Sequence, residues 1–280
     1  MRILLLCHAF NGLAQRLHVA LREAGHAVSV ELDIADAVTQ EAVALFDPDL
    51  VVAPFLKRRI PESVWSRRPC LVVHPGPPGD GGPSALDWAI EHGLADWGVT
   101  VLQAVHDYDA GPVWAWRPLR LRPDATKGSL YRREVTTAAV AAVMDALARW
   151  QPGCAGPVPA PDLPATLGRW QRAMTAADRA VDWSCDDSAT ALRRLRAADG
   201  APGVPEAYDG ETLRWFDAHP ATADDLARAP AGSPGDFVAR RGPALLRRTV
   251  DGAVWLGHLR RGDGTAARNL MAQPRAEIWS

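Results

Sequence analysis

The sequence predicts an α/β protein with a doubly wound, mostly parallel sheet and a smaller carboxyl-terminal β-barrel domain. Three features predict it: apolar runs alternate with helical patterns as far as residue 150, a proline-rich segment follows, and short strand patterns come after that. The chain has 280 residues, enough for two modest domains. We predict domains at residues 1–151 and 167–262, a linker at 152–166 and a tail at 263–280.

In the first domain, strands and helices alternate along the chain. The predicted strands are residues 3–7, 27–32, 50–53, 70–73, 99–105 and 114–121. The predicted helices are residues 13–24, 39–46, 84–92 and 129–150. The strands are short apolar runs, which is typical of strands buried on both faces of a parallel sheet. The alternation indicates a Rossmann-like sheet, whose ligands bind at the carboxyl ends of the strands.

The second domain follows a break in the pattern. Residues 151–166 contain five prolines and two glycines, which favours an extended linker. Short strands around one helix are predicted over Trp183 and residues 188–198, 208–217, 236–240, 244–250 and 254–259. This pattern favours a small OB-like barrel.

Composition excludes several classes of partner. Lys+Arg 31 against Asp+Glu 33 gives a net charge of −2, which favours neither nucleic acid nor an anionic membrane surface. No segment approaches the roughly 20 apolar residues of a membrane helix. The four cysteines are far apart, so no metal site is expected, and Cys7 and Cys70 are predicted to be buried thiols of a cytoplasmic protein. The expected partner is a small molecule.

A histidine and an acid follow two of the predicted strands. His74 ends the fourth strand and opens the loop Pro75-Gly76-Pro77-Pro78-Gly79, where proline fixes and glycine permits an unusual backbone. Asp109 follows the fifth strand in the sequence Asp109-Ala110-Gly111. Because strand ends at one edge of a sheet lie close together, we expect the two side chains to meet.

Such a pair can stabilise an oxyanion and accept a proton. An imidazole beside a carboxylate can donate a hydrogen bond to developing negative charge, while the carboxylate accepts a proton. Acyl or formyl transfer needs these properties, and hydrolysis needs them equally. The first strand-to-helix turn has only Asn11-Gly12, without a GxGxxG pattern, and the sequence has no Walker A loop. Hydride transfer and nucleotide hydrolysis are therefore not leading hypotheses.

The segments around this pair resemble a known enzyme family. They are His74-Pro75 with its glycine-rich loop, Gly98-Val99-Thr100-Val101, Asp109-Ala110-Gly111 and, in the second domain, Asp178-Arg179-Ala180-Val181-Asp182-Trp183. They resemble the formyltransferases that use 10-formyltetrahydrofolate, such as methionyl-tRNA formyltransferase. Longer runs at residues 54–57, 60–65 and 82–90 are similar to the amino-terminal part of hydrogenase-maturation factors of the HypX/HoxX type.

The resemblance implies 10-formyltetrahydrofolate as the formyl donor and leaves two classes of acceptor. In the hydrogenase-maturation branch the implied acceptor is coenzyme A, and a crotonase-like second half makes carbon monoxide for a nickel-iron hydrogenase. The other acceptor is an amine on a small metabolite. The 280 residues contain no crotonase-like half, so a separate crotonase-like protein is a candidate partner.

The resemblance also assigns the residues of the site. His74 and Asp109 are the implied catalytic pair: His74 stabilises the oxyanion and Asp109 handles the acceptor's proton. The implied folate-binding residues are Leu56, Lys57, Ile60, His106 and Asp107. Beside these residues, Gln15, Val72 and Arg132 are candidates for an acceptor channel.

Two residues depart from the general family pattern. Val72 stands where most members have an asparagine, and Gly81 stands where an arginine commonly follows the acid of the loop. Loss of one side-chain oxyanion donor typically costs on the order of 100- to 1000-fold in rate. These departures motivate an alternative hypothesis, a non-catalytic folate-binding sensor or docking domain that works with a crotonase-like partner.

Overall fold

The structure, a computed structural model, describes residues 1–150, 168–208 and 210–262. By compactness the chain divides into two units. The first comprises Met1–Ala85, Ala95–Leu121 and Leu130–Ala173, and the second comprises Leu86–Leu94, Arg122–Ser129 and Met174–Ser280. The predicted linker and tail lie outside the described residues, so the predicted domain boundaries stay a prediction.

The first unit contains a six-stranded mixed sheet. Its strands are β1 (Arg2–Cys7), β2 (Ala27–Leu32), β3 (Leu50–Phe55), β4 (Cys70–His74), β5 (Asp96–Gln103) and β6 (Val113–Arg120), in the order β2-β1-β3-β4-β5-β6. Strands β2, β1, β3 and β4 pair in parallel, whereas β5 is antiparallel to both of its neighbours. The predicted fold class, a doubly wound and mostly parallel sheet, is confirmed.

The helices of the amino-terminal half differ from the prediction in two places: a short helix at Glu62–Trp65 was not predicted, and one long predicted helix is divided. The first four are α1 (Gly12–Glu23), α2 (Asp36–Phe46), α3 (Glu62–Trp65) and α4 (Ala85–Glu91). The predicted helix at 129–150 is instead α5 (Lys127–Leu130), a π-helical turn (Tyr131–Val135) and α6 (Thr136–Ala148). In the first unit, α6 packs on β5, β6 and α1. None of the helices in the described ranges combines the length and apolar character needed to cross a membrane.

Apolar side chains bury the sheet of the first unit on both faces. On one face, Leu4 and Val51 belong to a cluster with Val43 of α2 and Val64 of α3. Ile3 alternates with Leu4 along β1 and is also fully buried, at 0% exposure. Burial on both faces explains the continuous apolar runs from which these strands were predicted.

The second unit contains a five-stranded antiparallel sheet. Its elements are α7 (Ala176–Arg179), α8 (Ser188–Ala198), β7 (Val204–Tyr208), β8 (Glu211–Pro220), α9 (Ala223–Arg228), β9 (Phe237–Arg241), β10 (Ala244–Arg248) and β11 (Ala253–Arg261). The strand order is β7-β8-β11-β10-β9, with β7 and β9 as the two edges. An antiparallel carboxyl-terminal sheet domain is therefore confirmed, while its closure as an OB-like barrel stays a prediction.

Two details of the second domain were predicted wrongly. The single strand predicted at residues 208–217 is a hairpin of β7 and β8, because the chain turns at Gly210, which has a φ of 77°. Trp183 was predicted in a strand but lies in a turn, where it is buried against the core formed by α8 and the sheet. An apolar side chain can reach a core from a turn, so its burial alone does not indicate a strand.

Asp225 is a buried acid that joins α9 to the sheet of the second unit. Its carboxylate accepts hydrogen bonds from the Thr222 backbone N–H at 2.9 Å and from Trp255 Nε1 at 3.0 Å, and it pairs with Arg241. Burial opposes ionisation, but the hydrogen bonds outweigh it and hold the pKa of Asp225 at about 2. The ionised carboxylate therefore stabilises the folded state.

We predict that this stabilisation is lost in acid. Because the folded-state pKa of Asp225 lies below its unfolded value, the free energy of unfolding should fall by about 2 kcal/mol as the pH drops from about 4 towards 2. Asp225→Asn should be less stable than wild type at pH 7, and the difference should narrow over that pH range in denaturant titrations. Asp224→Asn, whose side chain is 68% exposed, is the control and should change stability by less than about 0.5 kcal/mol. A constant difference between Asp225→Asn and wild type down to pH 2 would contradict this account.

Candidate active site

His74 lies at the carboxyl end of β4 and is buried beside an acid of the following loop. Its ring nitrogen Nε2 is 2.7 Å from Oδ2 of Asp80, and the two side chains are 5% and 2% exposed. Thr100, opposite His74 on β5, donates from its hydroxyl to the Gly76 carbonyl at 2.7 Å. The loop is thereby tied to the sheet between the histidine and the acid.

Two glycines make room for the pair formed by His74 and Asp80. A Cβ on Gly76 would lie 2.3 Å from Asp80 Oδ2 and 2.5 Å from His74 Nε2, well inside contact distance. A Cβ on Gly168 would lie 2.5 Å from the Asp80 backbone nitrogen. The Gly168 N–H donates to the Pro78 carbonyl at 2.7 Å, which closes the loop over Asp80. Gly76 belongs to the loop that was predicted to have an unusual backbone, and its missing side chain leaves space for Asp80.

Asp109 approaches the same histidine from the opposite side of the ring. Its Oδ1 atom is 3.6 Å from Nδ1 of His74, which is longer than a hydrogen bond. Its Oδ2 atom accepts the Gly82 backbone N–H at 2.9 Å, and its φ is 53°, in the left-handed region. Across the described residues, Nδ1 of His74 forms no hydrogen bond, so this nitrogen can bind a reacting group.

The structure brings the predicted catalytic pair together by a different route from the one expected. His74 pairs with Thr100, whereas Gln103 at the carboxyl end of β5 pairs with Leu71 at the start of β4. Because β5 is antiparallel to β4, the expectation that both strands end at one edge of the sheet is wrong. The loop between β5 and β6 carries Asp109 to His74 instead.

Burial sets the electrostatics of the site. It raises the pKa of Asp80, against the hydrogen bond from His74, and the like charge of Asp109 raises that pKa further. Asp80 therefore holds a proton more readily than an exposed carboxylate does. No cluster of three or more potential metal ligands occurs among the residues that the structure describes.

A cavity of about 440 Å³ lies beside the loop that carries Asp109. Its walls are formed by residues 58–62 with Asp36 and Trp65, and by His106 and Tyr108. The predicted folate residues Ile60 and His106 line it, and the Arg59 guanidinium stacks on the Tyr108 ring at 4.4 Å.

The other predicted folate residues lie outside this wall. Leu56 is half-buried against the apolar cluster under the sheet, and Lys57 and Asp107 are exposed. The assignment of all five residues to the folate site stays a prediction.

The predicted acceptor residues lie on three different elements. Gln15 on α1 is exposed and donates to the Phe10 carbonyl at 2.9 Å, and Arg132 is exposed on the π-helical turn. Tyr131, the residue before Arg132, hydrogen-bonds to Asn11, although burial outweighs that bond and raises the pKa of Tyr131 to about 12. Single π-helical turns often occur at functional sites, which favours a role for Arg132.

Val72 and Gly81 have structural explanations. Val72 and His74 are two residues apart on β4 and therefore point to the same face of the sheet. Val72 packs against the apolar cluster of that face. A Cβ on Gly81 would meet Trp170 Cδ1 and Asp109 Cβ, each at 3.2 Å. The Trp170 indole, which is 64% exposed, therefore lies close to where an arginine side chain would begin.

Sequence reasoning did not identify Asp80. The signal was available, because Asp80 is the one acid in the Pro/Gly-rich loop and lies only six residues after His74. It was overlooked because an acid in a turn is ordinarily a solvated turn former.

Comparison with known proteins identifies the class of protein. The formyl transferase model matches residues 2–147, and the formyl transferase C-terminal domain model matches residues 173–272. The chain therefore belongs to the formyl transferase family, a family of formyl-group transferases.

Individual relatives show which members of the family this chain is similar to. The hydrogenase maturation factor HoxX of Bradyrhizobium diazoefficiens is 53% identical over 280 residues, which are 100% of this chain and 47% of that protein. HypX from Aquifex aeolicus, crystallised with tetrahydrofolic acid, is 45% identical with a TM-score of 0.84, over 93% of this chain and 44% of that chain. A methionyl-tRNA formyltransferase of Anaeromyxobacter dehalogenans is 31% identical over 229 residues, which are 80% of this chain and 71% of that protein. The predicted resemblance is confirmed, and the chain spans about half the length of HoxX and HypX.

We predict that a methyl group at position 76 breaks the bond between His74 and Asp80. In Gly76→Ala the added carbon would overlap both partners, so the solvent-protected proton expected in the hydrogen bond between His74 and Asp80 should disappear from the proton NMR spectrum. The free energy of unfolding should fall by about 1–3 kcal/mol, as for other overpacked sites. Gly12→Ala is the control, since a Cβ there meets no described atom within 4 Å. Retention of the proton signal and of full stability in Gly76→Ala would contradict this geometry.

Proposed function

We propose that this chain transfers a formyl group from 10-formyltetrahydrofolate to a nucleophilic acceptor. One observation supports the proposal most: His74 is buried with Nε2 bonded to Asp80, while its Nδ1 side faces Asp109 across 3.6 Å. A hydrogen-bond donor and a carboxylate thus flank one small region. The 45% identity to a HypX that was crystallised with tetrahydrofolic acid supports the choice of donor.

The chemistry proposed for this region is a balanced acyl transfer. The acceptor's sulfur or nitrogen forms a bond to the formyl carbon, and His74 donates a hydrogen bond to the resulting oxyanion. Asp109 accepts the proton that the acceptor loses. The bond from the formyl carbon to N10 of the folate then breaks, its electron pair stays on N10, and the proton passes from Asp109 to N10. The products are the formylated acceptor and tetrahydrofolate.

The cavity beside this region is the proposed place for the folate. Its wall contains His106 and Tyr108, and the next residue along the chain is Asp109, the proposed proton acceptor. Ile60 and Trp65 supply apolar surface for an aromatic ring system. We propose that Leu56, Lys57 and Asp107 border the bound folate from outside this wall.

The acceptor is proposed to be the thiol of coenzyme A or an amine of a small metabolite. Arg132 is an exposed cation on the π-helical turn and suits an acceptor with phosphates. A thiol ionises near neutral pH, so it needs less help from Asp109 than an amine does. The similarity to HoxX favours coenzyme A and a crotonase-like protein as the partner that uses the product.

A cytoplasmic location is part of the proposal. Cys7 and Cys70 are free and buried, and burial raises the pKa of Cys70 to about 12. Free thiols of this kind are usual in reducing compartments.

Val72 favours the proposed assignment of the donor to His74. Its valine side chain has no hydrogen to donate to an oxyanion, so His74 is the side-chain donor at the carboxyl end of this face of β4. The alternative, a domain that binds folate without turnover, predicts no release of tetrahydrofolate with any acceptor. Measuring tetrahydrofolate release distinguishes the transferase from the binding domain.

We predict that the protein releases tetrahydrofolate from 10-formyltetrahydrofolate only when an acceptor is present. The release should be followed by absorbance with coenzyme A, with a panel of amino sugars and other small amines, and with buffer alone. The formylated acceptor should appear in equal amount by mass spectrometry. Micromolar folate binding without release under every condition would overturn catalysis and favour the binding domain.

A histidine variant links that activity to the proposed site. His74→Ala should lower kcat by about 100-fold or more while the folate Kd stays within about tenfold, because His74 acts in the transition state. His219→Ala is the control, since that side chain is 65% exposed in the second unit, and it should leave both constants unchanged. A collapse of folate binding in His74→Ala would instead make His74 a structural residue.

A further inference from the structure

The imidazole of His74 lies between two carboxylates, one at each ring nitrogen. Asp80 is 2.7 Å from Nε2, within hydrogen-bond distance, and Asp109 is 3.6 Å from Nδ1, outside it. A neutral imidazole donates from one nitrogen and accepts at the other, and its partner decides which. The two acids therefore compete to set the position of the hydrogen on His74.

Proton placement at Nε2 decides which nitrogen can donate to a substrate. If a neutral His74 had its only hydrogen on Nε2, the lone pair of Nδ1 would face the Asp109 carboxylate across 3.6 Å, and two negative carboxylates would share a largely buried site. One further proton, shared between Nε2 and Asp80 Oδ2, removes both the repulsion between the Nδ1 lone pair and Asp109 and the second buried negative charge. Whether that proton lies on the nitrogen or on the oxygen, Nδ1 then keeps its own hydrogen.

The surroundings of Asp80 favour this shared proton. Its side chain is 2% exposed, whereas the Asp109 side chain is 16% exposed. Burial and the neighbouring Asp109 charge both raise the pKa of Asp80, so it holds a proton more readily than a solvated acid. Gly76 and Gly168 pack against Asp80, whose 2% exposure keeps it from a substrate in solvent.

We infer that Asp80 is a positioning residue that keeps a hydrogen on Nδ1 of His74 by sharing a proton with Nε2. It acts through the histidine and does not touch the substrate. This inference rests on the proposed function for its consequence: Nδ1–H is the donor to the formyl oxygen, and Asp109 remains free to accept the acceptor's proton. The two acids thus have different tasks, set by which ring nitrogen each one faces.

The test combines a spectroscopic readout with kinetics. In the full chain with ¹⁵N-labelled histidine and no folate, Nδ1 of His74 should show the chemical shift of a protonated nitrogen. In Asp80→Ala the Nδ1 chemical shift should move towards the averaged value of an imidazole that exchanges between its two neutral tautomers. In formyl transfer by Asp80→Ala, kcat should fall by about 100-fold or more while the folate Kd stays within about tenfold. The reason is that the orientation and tautomer of His74 matter in the transition state.

Two variants separate positioning from general support of the loop. Asp80→Asn should recover part of the lost rate and keep Nδ1 protonated, because its amide can donate to Nε2. Asp225→Asn is the control for loss of a buried carboxylate, since Asp225 is 2% exposed in the second unit, and the His74 spectrum and kcat should stay unchanged.

Two results would overturn the inference. The first is a neutral wild-type His74 that is protonated only at Nε2. The second is a His74 spectrum in Asp80→Ala that is identical to that of wild type. Because the spectra need no folate, they decide the matter even if the wild-type protein transfers no formyl group, so failure of the proposed function and failure of this inference are distinguishable.

Discussion

The buried hydrogen bond between His74 and Asp80 is the constraint on which the candidate site depends. The loop after β4 must fold back within six residues to bring the acid to the ring, and several features make this possible. Gly76 leaves space for the pair, the Thr100 hydroxyl holds the Gly76 carbonyl, and Trp97 Nε1 donates to the Pro75 carbonyl at 2.8 Å. With Nε2 occupied in this way, the ring presents only Nδ1 to a substrate.

The second constraint is the reversal of β5 in the sheet. An antiparallel β5 places its end away from His74, and the long loop to β6 supplies both Asp109 and part of the cavity wall. A single loop thus connects the proposed folate cavity to the proposed proton acceptor. Gly81 belongs to the same arrangement, since a Cβ there would lie only 3.2 Å from Asp109 and from Trp170. At position 81, where the family commonly has an arginine, this chain has a glycine with the Trp170 indole beside it.

The sequence predicted what depends on local pattern and missed what depends on pairing. The apolar runs of β1 to β4 and the helical spacing of α1 predicted a parallel βα fold, because burial on both faces leaves a strong local signal. The direction of β5 left no such signal, since both directions accept the same apolar run. His74 and Asp109 were identified by residue type and resemblance. Asp80 was missed because an acid in a turn is ordinarily solvated, and its burial against His74 arises only when the loop closes over it.

The central claim is that the formyl carbon lies within reach of both Nδ1 of His74 and the Asp109 carboxylate, with its oxygen accepting a hydrogen bond from Nδ1. The most direct measurement is the dipolar distance, by solid-state NMR, between ¹⁵Nδ1 of His74 and the ¹³C-formyl carbon of a hydrolysis-resistant 10-formyl folate analogue. A hydrogen bond from Nδ1 to the formyl oxygen predicts a nitrogen-to-carbon distance within about 5 Å. A folate that is bound with its formyl carbon more than about 8 Å from Nδ1 would contradict the account, because no hydrogen bond can form at that range.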